Sequence, residues 1–284
     1  MSTTALTPRR AHAQSMVRRH PVISFFVLTY AIAWSLWAPL VIFRDSIPGP
    51  LGFVLGALGT LVPSTLGLVF VGLLAGRPGV RRLLRRLVQG RIGLRWYVAA
   101  LALAMLAPLG LGVSILLGGD IPVVNTTILG VLFLFAFSIF PGSALGEELG
   151  WRGFALPRMQ TRLSALKASL IIGVLWGSWH LPLWLTGRES HPISLFVPFV
   201  VTVIATSVIC TWLYNNTRGS LLIIVLYHAA INLPITVLFS PLGSRQTQPF
   251  LIYVALTVVA ATAVVITNGS EHLSRTAHRQ IDHQ

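Results

Sequence analysis

Residues 195–216 read LFVPFVVTVIATSVICTWLYNN, a run of 22 residues with no charged side chain. A helix of that length reaches about 33 Å, enough to cross the ~30 Å hydrocarbon core of a bilayer. Comparable runs occupy 21–43, 51–76, 96–119, 128–154, 169–186, 219–241 and 250–267. Proline inside several of them, at Pro63, Pro108, Pro141 and Pro234, suits transmembrane helices, which tolerate kinks that soluble helices do not. The pattern predicts an all-α, polytopic integral membrane protein with about eight transmembrane helices.

Composition agrees. The 284 residues are 54% hydrophobic and 10% charged, against roughly 25% charged in a soluble domain, which excludes a soluble globule. The net charge of +14 could suggest nucleic-acid binding, but the basic residues lie in short clusters between apolar runs rather than on one folded face. With the N-terminus inside, 18 of the 21 Lys and Arg residues fall on the cytoplasmic side, and only Arg44, Arg188 and Arg245 fall outside. That bias predicts an even number of spans with both termini cytoplasmic, and the setting of a bacterial inner membrane. Residues 1–18 form a basic tail and 268–284 a polar one; neither composition can bury a core, so disorder is expected on both sides of a transmembrane domain at 19–267. Residues 77–95 alternate Arg81, Arg82, Arg85 and Arg86 with Val80, Leu83, Leu84 and Leu87, an amphipathic pattern expected to lie on the anionic leaflet. The single cysteine, Cys210, sits in an apolar run and reads as a packed small hydrophobe.

Ionisable groups at membrane depth are costly, and this chain places two of its seven acids there. Glu147 and Glu148 stand in the fourth run, with Arg152 four residues after Glu148. On a helix the latter two share a face and should pair, leaving Glu147 about 100° away without a local cation. The fifth run carries Trp176 and His180, and the seventh His228 and Asn232, again four apart. Counted from the cytoplasmic ends of their runs, Glu147, His180 and His228 lie about 11–17 Å deep, one layer shared by three helices.

A carboxylate in such a layer can act as general base on water, with a second group orienting that water; Glu147 and His180 suit these roles. An imidazole and a carboxamide one turn apart, His228 and Asn232, can donate to the oxyanion of a tetrahedral intermediate. Two histidines and a glutamate could instead hold Zn²⁺, but the His-Glu-x-x-His pattern is absent, so no metal or other cofactor is expected.

Glu147-Glu148-x-x-x-Arg152, Trp176-x-x-x-His180 and His228-x-x-x-Asn232, in that order on apolar spans, resemble the three motifs of the CAAX prenyl protease and bacteriocin-processing (Abi) family, which includes the type II CAAX prenyl endopeptidases. The likeness covers 141–233, and Trp176 stands where a Phe often opens the second motif. The resemblance implies an eight-helix fold with a cytoplasm-facing intramembrane cavity and endopeptidase activity on a membrane-associated peptide or protein. It makes Glu147 and His180 the water-activating pair and His228 and Asn232 the oxyanion site, with Glu148 and Arg152 behind them. It also leaves open a non-proteolytic immunity or partner-binding role. A proton-coupled transporter is disfavoured, because the acids form no chain across the membrane. Nothing in the sequence reports an oligomeric state.

Overall fold

The computed structural model describes residues 17–186 and 192–275. The remainder, including the N-terminal tail to residue 16, Arg188 and the tail from 276 on, lies outside the described residues. The described chain is helical without β-strands. Its principal helices are α1 Pro21–Ile42, α2 Gly49–Arg85, α3 Leu94–Leu116 (bent at Met105), α4 Ile128–Ile139, α5 Ser143–Glu148, α6 Ala165–Trp179, α7 Leu181–Leu185, α8 Phe196–Asn216, α9 Leu221–Pro234 and α10 Thr247–Asn268.

Among the described residues, seven helical stretches are long and apolar enough to cross a membrane, so this is an integral membrane protein of several passes. The seventh, Leu221–Asn268, has 48 residues and would reach about 72 Å if straight, over twice the hydrocarbon thickness. It is not straight. Gly243 adopts φ 55°, a conformation that glycine takes without a side-chain clash, and divides the stretch into α9 and α10. The two legs run in opposite directions. Ser220, at the start of α9, donates to Gln89 O near the start of α3 (2.7 Å), whereas Gln248, at the start of α10, accepts from Ser114 near the end of α3 (3.1 Å). Eight legs result, as the apolar pattern predicts.

The fourth run departs from a single helix. α4 stops at Ile139; Phe140 is extended (φ −155°, ψ 131°) ahead of Pro141, and α5 restarts at Ser143. A residue before proline is pushed out of the helical region, which accounts for the break. α4 has no buried residue and leans on α9, whereas α5 is driven into the bundle. After Glu148 the helix widens into a π-helical turn, Leu149–Ala155, all of whose residues are buried.

α5 and this wide turn press against α2 backbone to backbone. A Cβ at Gly150 would lie 2.3 Å from Pro63 O and 2.5 Å from Pro63 C, atoms that cannot swing aside. Gly150→Ala is therefore expected to push the helices apart and cost about 1–3 kcal/mol. A lowered midpoint in detergent thermal unfolding checks this; an unchanged midpoint contradicts the contact.

Residues 269–275 correct the expectation of disorder in that part of the C-terminal tail. The segment turns back onto the helix ends: Ala165 N and Leu166 N, at the start of α6, donate to Glu271 O (2.7 Å) and Ser270 O (3.0 Å). Asn215 and Asn216 donate to His272 O (2.6 Å) and Leu273 O (2.8 Å), and the Leu273 side chain is fully buried. Unpaired helix-terminal N–H groups and two asparagine amides give this polar segment partners that its composition does not reveal. Cys210 is buried in the core, as its apolar run implies.

Candidate active site

α5, α6, α8, α9 and α10 enclose a cavity of about 190 Å³ lined by Glu147, Trp176, His180, His228 and Asn232 together with Ser143 and an apolar set that includes Phe199, Ile231, Phe250 and Tyr253. Five of the seven motif residues quoted from the sequence thus meet in one chamber. Glu148 and Arg152 stand behind its wall, each with 0% exposure.

The two adjacent glutamates divide as the helical spacing predicts. Glu148 Oε1 and Oε2 accept from Arg152 Nη1 at 3.0 and 3.1 Å, and Oε1 also pairs with His228 Nδ1 at 2.7 Å. Arg152 stays inside the bundle, its guanidinium 4.3 Å from the centre of the Trp176 ring. Such a buried cation is held by one carboxylate and one aromatic face. Glu147 instead turns to the cavity. Its Oε2 accepts a short hydrogen bond from Trp176 Nε1, and among the described residues nothing bonds Oε1.

His180 sits where α6 ends and α7 begins, its Nδ1 2.8 Å from Trp176 O. A carbonyl only accepts, so Nδ1 carries the proton and Nε2 offers a lone pair. The ring is wedged edge-on between Trp179 (centroids 4.9 Å) and Phe199 (5.2 Å), which fixes its plane.

On α9, His228 and Asn232 share a face, and Ser143 joins them. Asn232 Nδ2 donates to Ser143 Oγ (2.7 Å), which lies 3.3 Å from His228 Nε2. One orientation satisfies the whole chain: Asn232 donates to Ser143, Ser143 to His228 Nε2, and His228 Nδ1 to Glu148, which Arg152 anchors. Sequence reasoning assigns no role to Ser143 and names Trp176 only as the position that opens the second motif. The first is readable in hindsight as one helical turn before Glu147 on the same face; the second has no local signal, because its partner lies 29 residues away.

The depth reading needs correction. α6 begins at Ala165, where Ser164 caps Lys167 N (3.3 Å), four residues before the apolar run suggests. His180 is thus about 22 Å along its helix rather than about 17 Å. The cavity draws on the first turns of α8 and α10 (Phe199, Phe250, Tyr253) and on α7, helix ends remote from the arginine-rich face that includes Arg158 and Arg218. Its lining thus reaches from mid-helix toward the helix ends opposite that arginine-rich face.

Residues 129–234 match the family model described as type II CAAX prenyl endopeptidase Rce1-like. A curated relative, CAAX prenyl protease 2 of Methanococcus maripaludis, is 33% identical over 116 residues, covering 38% of this chain and 41% of the relative. The chain thus matches about two fifths of that relative's length. All seven motif residues fall inside the stretch of this integral membrane protein that matches the type II CAAX prenyl endopeptidase Rce1-like model.

Proposed function

We propose that the protein is an intramembrane endopeptidase in which Glu147 activates water. The observation that carries this reading is Glu147 Oε1, a buried carboxylate oxygen without a hydrogen-bond partner among the described residues, in a chamber shared with His180 and Asn232. A water between Glu147 Oε1 and His180 Nε2 gives its proton to Glu147 while its oxygen bonds to the scissile carbonyl carbon. Negative charge then develops on the carbonyl oxygen, facing Asn232 and His228. Asn232 has a second N–H beyond the one given to Ser143 and donates it to that oxygen, while His228, through its Nε2 contact with Ser143, holds the amide in place. Collapse breaks the C–N bond, and the proton held by Glu147 passes to the leaving amine. The substrate class is a membrane-associated peptide or protein, whose apolar neighbours fit Phe199, Ile231, Phe250 and Tyr253.

The donor set supports a metal-independent reaction. A catalytic zinc needs three protein ligands. Both nitrogens of His228 are engaged, by Glu148 and Ser143, and Nδ1 of His180 is engaged by Trp176 O. Glu147 and His180 Nε2 remain, one donor short, and among the described residues no three His, Cys, Asp or Glu side chains form a ligand cluster.

The test is cleavage of quenched fluorescent peptides by the purified protein in detergent, with Asn232→Ala alongside. Loss of one oxyanion donor should lower kcat by about 10²–10³-fold with little change in KM. Wild-type kinetics in Asn232→Ala would remove the oxyanion assignment, and a folded wild type inert toward every peptide would favour the immunity or partner-binding role.

A further inference from the structure

We infer that Ser64, on α2 and outside the matched region, is a positioning residue that sets the turn carrying Glu147 and Glu148; this rests on the protease reading above. In an α-helix the N–H of Leu149 would bond the carbonyl of Leu145 directly. Here a hydroxyl from another helix stands between them. Ser64 Oγ donates to Leu145 O at 2.7 Å and accepts from Leu149 N at 3.2 Å, taking up both halves of an i→i−4 bond. Glu147 and Glu148 are two of the three residues between those bridged groups, and the π-helical turn opens at Leu149 itself. Insertion of a side chain into the helical ladder is a recognised cause of local bending, and single π-helical turns gather at functional sites.

The surroundings are built for this contact. Ser64 is buried, and the α2 backbone approaches closely enough for a one-carbon side chain to span the gap. A Cβ at Gly67, one turn on, would sit 2.8 Å from Leu149 O, so the neighbouring position must be bare for the hydroxyl to reach. The division of labour between the two carboxylates follows from helical spacing, and the bridged turn sets the position from which Glu148 meets Arg152 and His228 while Glu147 faces Trp176 and the cavity. Without the hydroxyl, Leu145 O and Leu149 N can close on each other, and the turn after Glu148 tightens.

Ser64→Ala and Ser64→Thr test this in the full-length protein. The alanine variant should lose about 10- to 100-fold in kcat with KM within about twofold, as expected when a catalytic group moves by roughly an ångström. Ser64→Thr keeps the hydroxyl and should recover most of the rate. An activity-independent readout accompanies them: in ¹⁵N-histidine spectra, the His228 Nδ1 proton signal should shift in Ser64→Ala and return in Ser64→Thr. Wild-type kcat with an unmoved His228 signal in the alanine variant would overturn the inference. So would equal impairment of both variants with that signal unmoved, which marks a packing effect. Should wild type cleave nothing, the protease reading fails by that result, and the His228 signal alone decides the role of Ser64.

Discussion

Glu147→Gln should abolish peptide hydrolysis, lowering kcat by about 10²- to 10⁴-fold, the range associated with a general base, while leaving the protein as stable as wild type. Glutamine preserves the length of the side chain and can still accept from Trp176 Nε1, so the α5–α6 contact survives. What it loses is the capacity to take a proton from water. Since Glu147 makes no ion pair among the described residues, where Arg152 and His228 pair with Glu148 instead, its neutral replacement strands no buried cation there. Steady-state kinetics beside a detergent melting curve give both halves of the result. A variant retaining wild-type kcat would transfer the base role elsewhere; one that is inactive because it has unfolded would show that Glu147 is a structural element.

Glu148→Ala should fail in the opposite manner. Arg152 would remain in the bundle with its carboxylate gone, and His228 would lose the acceptor at its Nδ1. Breaking a buried ion pair from one side typically costs about 3–5 kcal/mol, because the surviving charge stays desolvated. The expected outcome is a large fall in the unfolding midpoint in mixed micelles, with poor recovery of folded protein. Removing both partners, as in Glu148→Met with Arg152→Leu, should cost less stability than Glu148→Ala alone, although His228 would still lose its partner. If Glu148→Ala melts like wild type, the charged network behind the cavity is not holding it together. Two neighbouring carboxylates would then lack the separation of roles that their partners indicate.

The separation itself is legible in the sequence. Glu148 and Arg152 are one helical turn apart in the favourable order, and His228 and Asn232 repeat that spacing, so their pairing follows from helix geometry alone. The apolar runs similarly announce the legs of the bundle, and the reversal at Gly243 restores the eighth where continuous helical hydrogen bonding merges two. What escapes is everything decided between distant segments. The break at 140–142 is the local exception: Pro141 marks a kink there, but hydropathy along the run does not distinguish a kinked helix from two abutting ones. Ser143, Ser64 and Trp176 are unremarkable by type, and a neutral hydroxyl or indole declares its role only through partners 85, 81 and 29 residues away. The docking of 269–275 was hidden for a related reason: its hydrogen bonds satisfy main-chain groups at another helix's start, which composition does not register.

The most direct test places the purified protein in liposomes with a membrane-associated peptide and identifies the products by mass spectrometry, with and without a chelator, beside Glu147→Gln. The account predicts two fragments that together regain the mass of the peptide plus one water, formed equally with the chelator present and absent from the Glu147→Gln sample. The same fragments appearing at the wild-type rate in Glu147→Gln, or disappearing with the chelator, would contradict it.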